Sequence, residues 1–445
     1  MLNKHLLLLL ALTVSLAAAP VVLENALTRA AFEPEQPYVL TELTDKKLNV
    51  NHIAAEVLSS TRDSVWTLTL RNAPGTQEII TPAQAKAVSH QAQGNTLRIT
   101  WQGLTGKTIA ANLDFTAIAT LRDNGALAWN YEVSGTTSGA LWEVSFPRIR
   151  AISNLGNDFL VTPIYLGKLT RNPTREPRNV RVNYPQSGSM QFFAYWSTRD
   201  QRQPELPAEP LHGTAETGWY PDQSDAAGLL YHIEDPFGYH KQMHAETTSI
   251  PGRLCLTVTN IPELDVWPIP ETPAQRPVAY KAPYPVLVKP FQGDYHDAAK
   301  EYFAWARQQK WCAAGSIGSD SPQPPTAPDA VSRWKPAWFR NAGFWAKFYF
   351  EPYKVLGEWD AYQDWLRLPI ASHYYRYNIA RFDDNYPEHL PGDSYLLNGM
   401  QVAKAMNIFP MPYINGVIWD DDTQSWFREN GRAAAVTDES GKYPI

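Results

Sequence analysis

From about Val21 to Phe291, apolar and polar positions alternate in short runs broken by turns: SVWTLTLRN, TLRITWQG, ALAWNYEV, LWEVSFPRI, GLLYHIED and LCLTVTN. A period of two is the pattern of strands that bury one face. Many short strands at near-regular spacing predict an antiparallel sandwich, and the length of the run suits a double-sized one. The period then changes in GDYHDAAKEYFAWARQQKW, where Ala298, Ala299, Tyr302, Phe303, Trp305 and Ala306 recur at helical spacing behind Asp297, the expected N-cap. After this amphipathic helix, GSIGSDSPQPPTAPDA reads as an extended linker.

Beyond the linker, AGFWAKFYF, IASHYYRYNI and IFPMPYINGVIW are strand-like, with SYLLNGMQVAKAMN between the last two as a helix. Strand, helix, strand implies a parallel arrangement, and a (β/α)8 barrel is the expectation. A full barrel takes ~200–250 residues. Ala337 to Ile445 holds only about three of its strands, so the barrel is read as truncated, in a fragment or a truncated gene product. The expected class is multidomain, β plus α/β. Its parts are a signal peptide at 1–19, the sandwich at 20–291, a connector helix at 292–314, a Pro-rich linker at 315–336 and the incomplete barrel at 337–445.

Composition adds a hint about partners. The chain has 445 residues, 44% hydrophobic and 12% aromatic, with 16 Trp, 22 Tyr and 36 Pro. Aromatics in that excess suit the apolar faces of sugars. A formal net charge of −6 offers no basic field to a phosphate backbone, so nucleic acid is not an expected partner. The N-terminus has one Lys, an apolar run from Leu6 to Leu12 and then small residues, the layout of a secretory signal peptide. Pro20 blocks cleavage after Ala19, whereas cleavage after Ala17 avoids it. Export to the periplasm or outside follows, with no membrane association after cleavage. In that setting Cys255 and Cys312 either pair or stand as two buried thiols.

Candidate chemistry gathers after the later strands. In MPYINGVIWDDDTQSWF, three acids, Asp420 to Asp422, stand between Trp419 and Trp426. At the mouth of a barrel they would bind sugar hydroxyls, hold a Ca²⁺ or support proton transfer. Hydroxyl recognition is the preferred role, with the two indoles stacking on a ring face and Asp420 nearest the strand end. The plain alternative is a solvated loop with Asp422 as a helix N-cap. Asn415, placed within the strand, is either satisfied in the core or lines the mouth.

In HYYRYNIARFDDNYPEHLPG, His373, Tyr375 and Tyr377 alternate with Tyr374, Arg376 and Asn378, and one set must face inward. Asp383 and Asp384 follow as a paired-carboxylate candidate, although adjacent residues usually point apart. His373 is read as a hydrogen-bonded inner-layer residue, and Arg376 and Arg381 as neutralising the local acids. Lys347 on the first strand either snorkels outward or meets an acid. His232, His240 and His244 are read as hairpin surface rather than a metal site. No zinc signature, phosphate loop, dinucleotide fingerprint or nucleophile elbow is present, so no cofactor is expected.

The blocks DFLVTPIYLGKLTRNP, YPQSGSMQFFAYW, GLLYHIEDPFGYHKQM, FQGDYHDAAKEYFAWARQQKWC, HYYRYNIARFDDNYPEHLPG and MPYINGVIWDDD, in that order, resemble a family of secreted bacterial glycoside-hydrolase-like proteins of unknown function. The resemblance implies a galactose-mutarotase-like β-supersandwich ahead of a glycosidase-type TIM barrel, broadly like the endo-α-N-acetylgalactosaminidases. Together with an oligo- or polysaccharide partner, the residue reading above gives an expected substrate-binding set of Tyr375, Asn378, Asp383, Asp384, Asn415, Trp419 and Asp420. The catalytic acids are expected beyond Ile445. A non-catalytic carbohydrate-binding protein is the rival reading, and a structural remnant a third.

Overall fold

The computed structural model of the chain describes residues 19–34, 38–54, 64–72, 75–165, 167–188, 190–198, 226–262, 275–309, 342–348, 361, 363–374, 377, 384–392, 394–416, 418–437 and 442. The chain divides into two compact units, Met1–Lys310 and Trp311–Ile445. Most of the expected signal peptide and all of the expected linker at 315–336 lie outside the described residues.

The first unit opens with a four-stranded antiparallel sheet of β1 (Val21–Glu24), β2 (Thr28–Glu33), β3 (Val39–Asp45) and β4 (Val50–Asn51). It continues with β5 (Thr67–Arg71), β6 (Gln77–Ile80), β7 (Ala87–Gln93), β8 (Thr96–Leu104), β9 (Ala111–Leu121), β10 (Leu127–Thr137) and β11 (Ala140–Ile152). Next come β12 (Asp158–Thr162), β13 (Lys168–Arg171), β14 (Asn179–Tyr184), β15 (Phe192–Ser197) and β16 (Ala227–Ile233). It ends with β17 (Lys241–Thr247), β18 (Leu254–Asn260), β19 (Arg276–Lys281) and β20 (Val286–Gln292).

These strands form a six-stranded sheet, β14-β17-β18-β11-β5-β6, and a ten-stranded one, β13-β12-β15-β16-β20-β10-β9-β8-β7, in which β19 also pairs with β10. Every pairing between them is antiparallel, as alternation predicts. β9 is the clearest case. Leu113, Phe115, Ala117, Ala119 and Leu121 turn inward, while Asn112, Asp114, Thr116 and Thr120 stay outside the core. The shared core takes Leu68, Val144, Phe146, Leu256 and Val258 from the six-stranded sheet and Phe115, Tyr131, Tyr195 and Tyr231 from the other. Rings meet edge-on or stacked through it, Trp66 on Phe115 at 4.4 Å and Phe115 on Tyr131 at 5.5 Å.

β15 and β16 lack alternation because both of their faces are covered. Helix α1 (Tyr295–Ala306) lays Ala298, Tyr302 and Ala306 against Phe192, Trp196, Leu230 and Phe291, so the amphipathic helix belongs to the sandwich unit. Close packing here needs a glycine, because a Cβ on Gly228 would lie 2.2 Å from the Phe291 ring. The N-cap of α1 is Asp294, not Asp297. Asp294 Oδ1 accepts the His296 N–H at 2.8 Å, and Asp297 reaches back to the Asp294 N–H at 3.2 Å, a reciprocal capping box.

In the second unit, β21 (Phe344–Phe348), β22 (Ile370–Tyr374) and β23 (Ile408–Pro412) form a parallel sheet in that order. Phe344 aligns with Ile370 and Ile370 with Ile408. The last strand begins where its apolar run begins but ends at Pro412, well before Trp419. Helix α2 (Ser394–Ala405) joins β22 to β23. Just past its end, Asn407 has a φ of 63°, which suits an asparagine after a helix. Short helices α3 (Gln424–Arg428) and α4 (Gly431–Ala434) follow.

Candidate functional site

In a parallel sheet connected by helices, the loops after the strand carboxyl ends lie at one rim. Here the described loops are 384–392, after β22, and 413–416 with 418–423, after β23. They are stitched together through Asp420. Its Oδ2 accepts the Tyr386 N–H at 2.7 Å, and its own N–H donates to the Tyr386 carbonyl at 3.0 Å. A second stitch runs from the Ser425 N–H to Glu388 Oε1 at 2.8 Å. This places a carboxylate at the start of α3.

Each loop is also folded on itself. Asn385, at φ 66°, donates its side-chain amide to the Glu388 carbonyl at 3.0 Å and accepts the Glu388 N–H on its own carbonyl. Asn415 Oδ1 accepts the Ile418 N–H at 3.0 Å, and its Nδ2 donates to the Tyr413 hydroxyl at 3.2 Å. Thus Asn415 lies in the loop beyond β23, not within the strand. Its side chain shapes a turn there.

The N-cap of α3 is Thr423, not Asp422. Thr423 Oγ1 accepts the Trp426 N–H at 3.3 Å and donates to the Asp420 carbonyl at 2.7 Å. Trp426 is buried with its ring edge-on to Trp419 at 5.8 Å, so only Trp419 of the two indoles has partial exposure. The Trp419 Nε1–H donates to Ser425 Oγ at 3.1 Å. Asp421, Asp422 and Asp384 are exposed beside these fixed groups.

His373, half-buried on β22, has its ring 5.6 Å from that of Tyr413. Tyr377 is buried near His389, with ring centroids 6.3 Å apart, and burial pushes its phenol up. Tyr375, Arg376, Asn378, Arg381 and Asp383 lie outside the described residues. Lys347 stands in register with His373, across β21 and β22. Tyr386 and Glu388 are the residues that the sequence reading missed. Their signal was the turn-forming Asn385-Tyr386-Pro387, but nothing local announces a partner 34 residues away.

The sandwich histidines are not a hairpin surface group. His232 is on β16 under α1, and burial pushes its imidazole down to about 3. His244 is on β17, in the other sheet, with Nε2 3.3 Å from Thr259 Oγ1, and His240 is exposed. Among the described residues, no group of three or more His, Cys, Asp or Glu is arranged to hold a metal ion. The Cys255 thiol is free and buried, which pushes it up to about 11, and Cys312 lies outside the described residues. Among the described residues, no helix is long and apolar enough to cross a membrane.

Comparison with known proteins adds the following. Residues 280–444 match the family described as "Domain of unknown function (DUF6259)". A protein of Bacteroides thetaiotaomicron named "Putative glycoside hydrolase" is 24% identical over 161 residues, 31% of this chain and 23% of that protein. Among solved structures, the α-N-acetylgalactosaminidase NagBb of Bifidobacterium bifidum, in complex with GalNAc, superposes with a TM-score of 0.58 at 10% identity. The match covers 95% of this chain and 62% of that one. The ligand-free form of that enzyme gives 0.55 at 11% identity. The chain therefore spans less than two thirds of the relatives it matches. Mostly antiparallel sheets with few helices make it similar in fold to a glycosidase.

Proposed function

We propose that the chain is part of a glycoside hydrolase that acts on glycosidic bonds of complex carbohydrate. In this reading β21, β22 and β23 are strands of a (β/α)8 barrel, and the sandwich accompanies it as a supporting domain. The observation that carries the reading is the braced rim. Asp420 and Glu388 lock the loops after two parallel strands while Asp384, Asp421, Asp422 and part of Trp419 remain open to a ligand. Carboxylates accept paired hydroxyls, and an indole covers the apolar ring face of a sugar. The fold likeness to an α-N-acetylgalactosaminidase over 95% of the chain supports the same class.

Within that reading Asp384 and Trp419 touch substrate, with Asp383, Asn378 and Tyr375 assigned to the same rim. Asn415 and Asp420 shape the loops that present them. The acid pair is assigned to other barrel strands, because a general acid and its partner must flank one bond at ~5–10 Å, and residues adjacent in sequence usually point apart. The N-terminal layout assigns the protein to the periplasm or the exterior.

The test is hydrolysis of aryl glycosides and natural glycans by the parent protein. It is expected to cleave at least one, with Asp384→Asn raising KM and leaving kcat largely unchanged. Residues 20–445 alone are expected to show no turnover. Turnover by that fragment would return the acid pair to Asp383, Asp384 and Asp420, whereas a parent that binds glycans without cleaving them would make the rim a recognition surface only.

A further inference from the structure

A second polar cleft lies within the first unit, on the outer face of the ten-stranded sheet. Toward β15 and β16, α1 offers apolar side chains to the sheet. Beside this apolar contact, Glu301 and Trp305 of α1 and Gln308 in the turn after it face a different space. With His232, Lys289 and Asn124 these line an open cleft of ≈ 440 Å³. That volume falls in the range of small-molecule sites, ~300–1,000 Å³.

The charges of the cleft are already paired. Lys289 Nζ donates to both oxygens of Glu301, at 2.9 and 2.7 Å, and the guanidinium of Arg122 grips both oxygens of Glu234, which also lines the cleft, at 3.2 and 3.0 Å. Two cations facing two anions leave no net field to select a charged ligand. What remains is a mixture of donors and acceptors around an indole. Hydroxyl groups match such a surface because each both donates and accepts.

His232 supplies the second observation. It is 4% exposed, with its ring edge-on to Tyr302 at 5.3 Å and to Trp305 at 5.0 Å. Its Nε2 is buried with no hydrogen-bond partner. Leaving such an atom unpaired costs ~1–3 kcal/mol, which a ligand hydroxyl reaching the cleft floor would relieve. Burial and the nearby Arg122 hold the imidazole neutral, so it adds no charge to the balance.

We propose that this cleft binds a neutral, hydroxyl-rich ligand of mono- or disaccharide size, held by the Lys289–Glu301 and Arg122–Glu234 pairs and covered by Trp305. The site is built wholly from first-unit residues and does not require the barrel reading to hold.

The experiment titrates the full chain with lactose, cellobiose and maltose, with glucose 6-phosphate and spermidine as charged controls. Tryptophan fluorescence and titration calorimetry report binding. Saturable binding of at least one neutral disaccharide is expected, weakened about tenfold or more by Glu301→Gln and by Gln308→Ala, and lost in Trp305→Ala. Lys281→Ala, an exposed change outside the cleft, is expected to bind as the parent does. The two polar variants keep the test decisive should Trp305→Ala fold poorly. The proposal is overturned by absence of binding to all three sugars, or by tighter binding of either charged control. Binding that survives Glu301→Gln but disappears in Asp384→Asn also overturns it, since the ligand would then sit at the rim of the second unit.

Discussion

Asp420 and Tyr386 hold each other by two hydrogen bonds, carboxylate to N–H at 2.7 Å and N–H to carbonyl at 3.0 Å. The side-chain bond is charge-assisted, so it is the stronger half of the brace. Asp420→Asn keeps an acceptor oxygen and is expected to preserve the loops. Asp420→Ala removes it and leaves the Tyr386 N–H to find water, at a local cost of ~1–3 kcal/mol. Hydrogen exchange at Tyr386 and through 413–423 should accelerate in the alanine variant and not in the asparagine one. Equal acceleration in both would mean that the carboxylate charge, not the hydrogen bond, holds the rim.

Lys241 and Asp235 form the other tight pair, at 2.6 Å with neither side chain exposed. Every proton of the ammonium has an acceptor, since it also donates to Gln191 Oε1 at 3.1 Å and the Tyr239 carbonyl at 2.7 Å. Burial pulls Lys241 down to about 8 against the attraction of Asp235, which still leaves it charged at pH 7. Asp235 meanwhile accepts the N–H groups of Phe237, Gly238 and Tyr239. Asp235→Ala therefore abandons three backbone donors and a buried cation. It is expected to cost ~3–5 kcal/mol, more than Lys241→Met, in denaturant unfolding. A larger loss for Lys241→Met would overturn this ordering.

Acid should weaken the sandwich. Burial pushes His52 and His244 down to about 4 and His232 to about 3, so each is neutral in the fold and charges more readily in the open chain. The unfolded state then binds more protons, and stability that is complete above about pH 6.5 is lost as pH falls toward 4. For His52, whose ring nitrogens are both buried without partners, the loss at pH 4 is on the order of 3 kcal/mol. His52→Leu should flatten the fall in urea midpoint between pH 6.5 and 4. An unchanged slope would exclude His52 as a source.

Asp158 carries the opposite sign. Burial raises its carboxyl to about 6, and its Oδ2 has no hydrogen-bond partner. The folded state holds the proton more tightly than the unfolded chain, so the charge is a cost above pH 6 that fades as pH falls toward 4. Asp158→Asn is expected to stabilise the protein at pH 7 by on the order of 2–3 kcal/mol and to gain little at pH 4. A gain of equal size at both values would point to packing rather than charge.

Local periodicity determined a large part of this fold. The alternation of β9, the helical spacing of Ala298, Tyr302 and Ala306, and the strand-helix-strand order that makes β22 and β23 parallel neighbours all follow from which face each residue must bury. Other features are long-range, and only the tertiary structure decided them. Asp420 became a brace because a backbone N–H 34 residues away needed an acceptor, and Trp426 was buried rather than offered to a ligand. His232, polar and unremarkable in GLLYHIED, was trapped between a sheet and the helix that follows it by more than 60 residues. Side-chain polarity and period are properties of the chain itself, whereas the partner that satisfies a polar atom depends on which distant segments pack together.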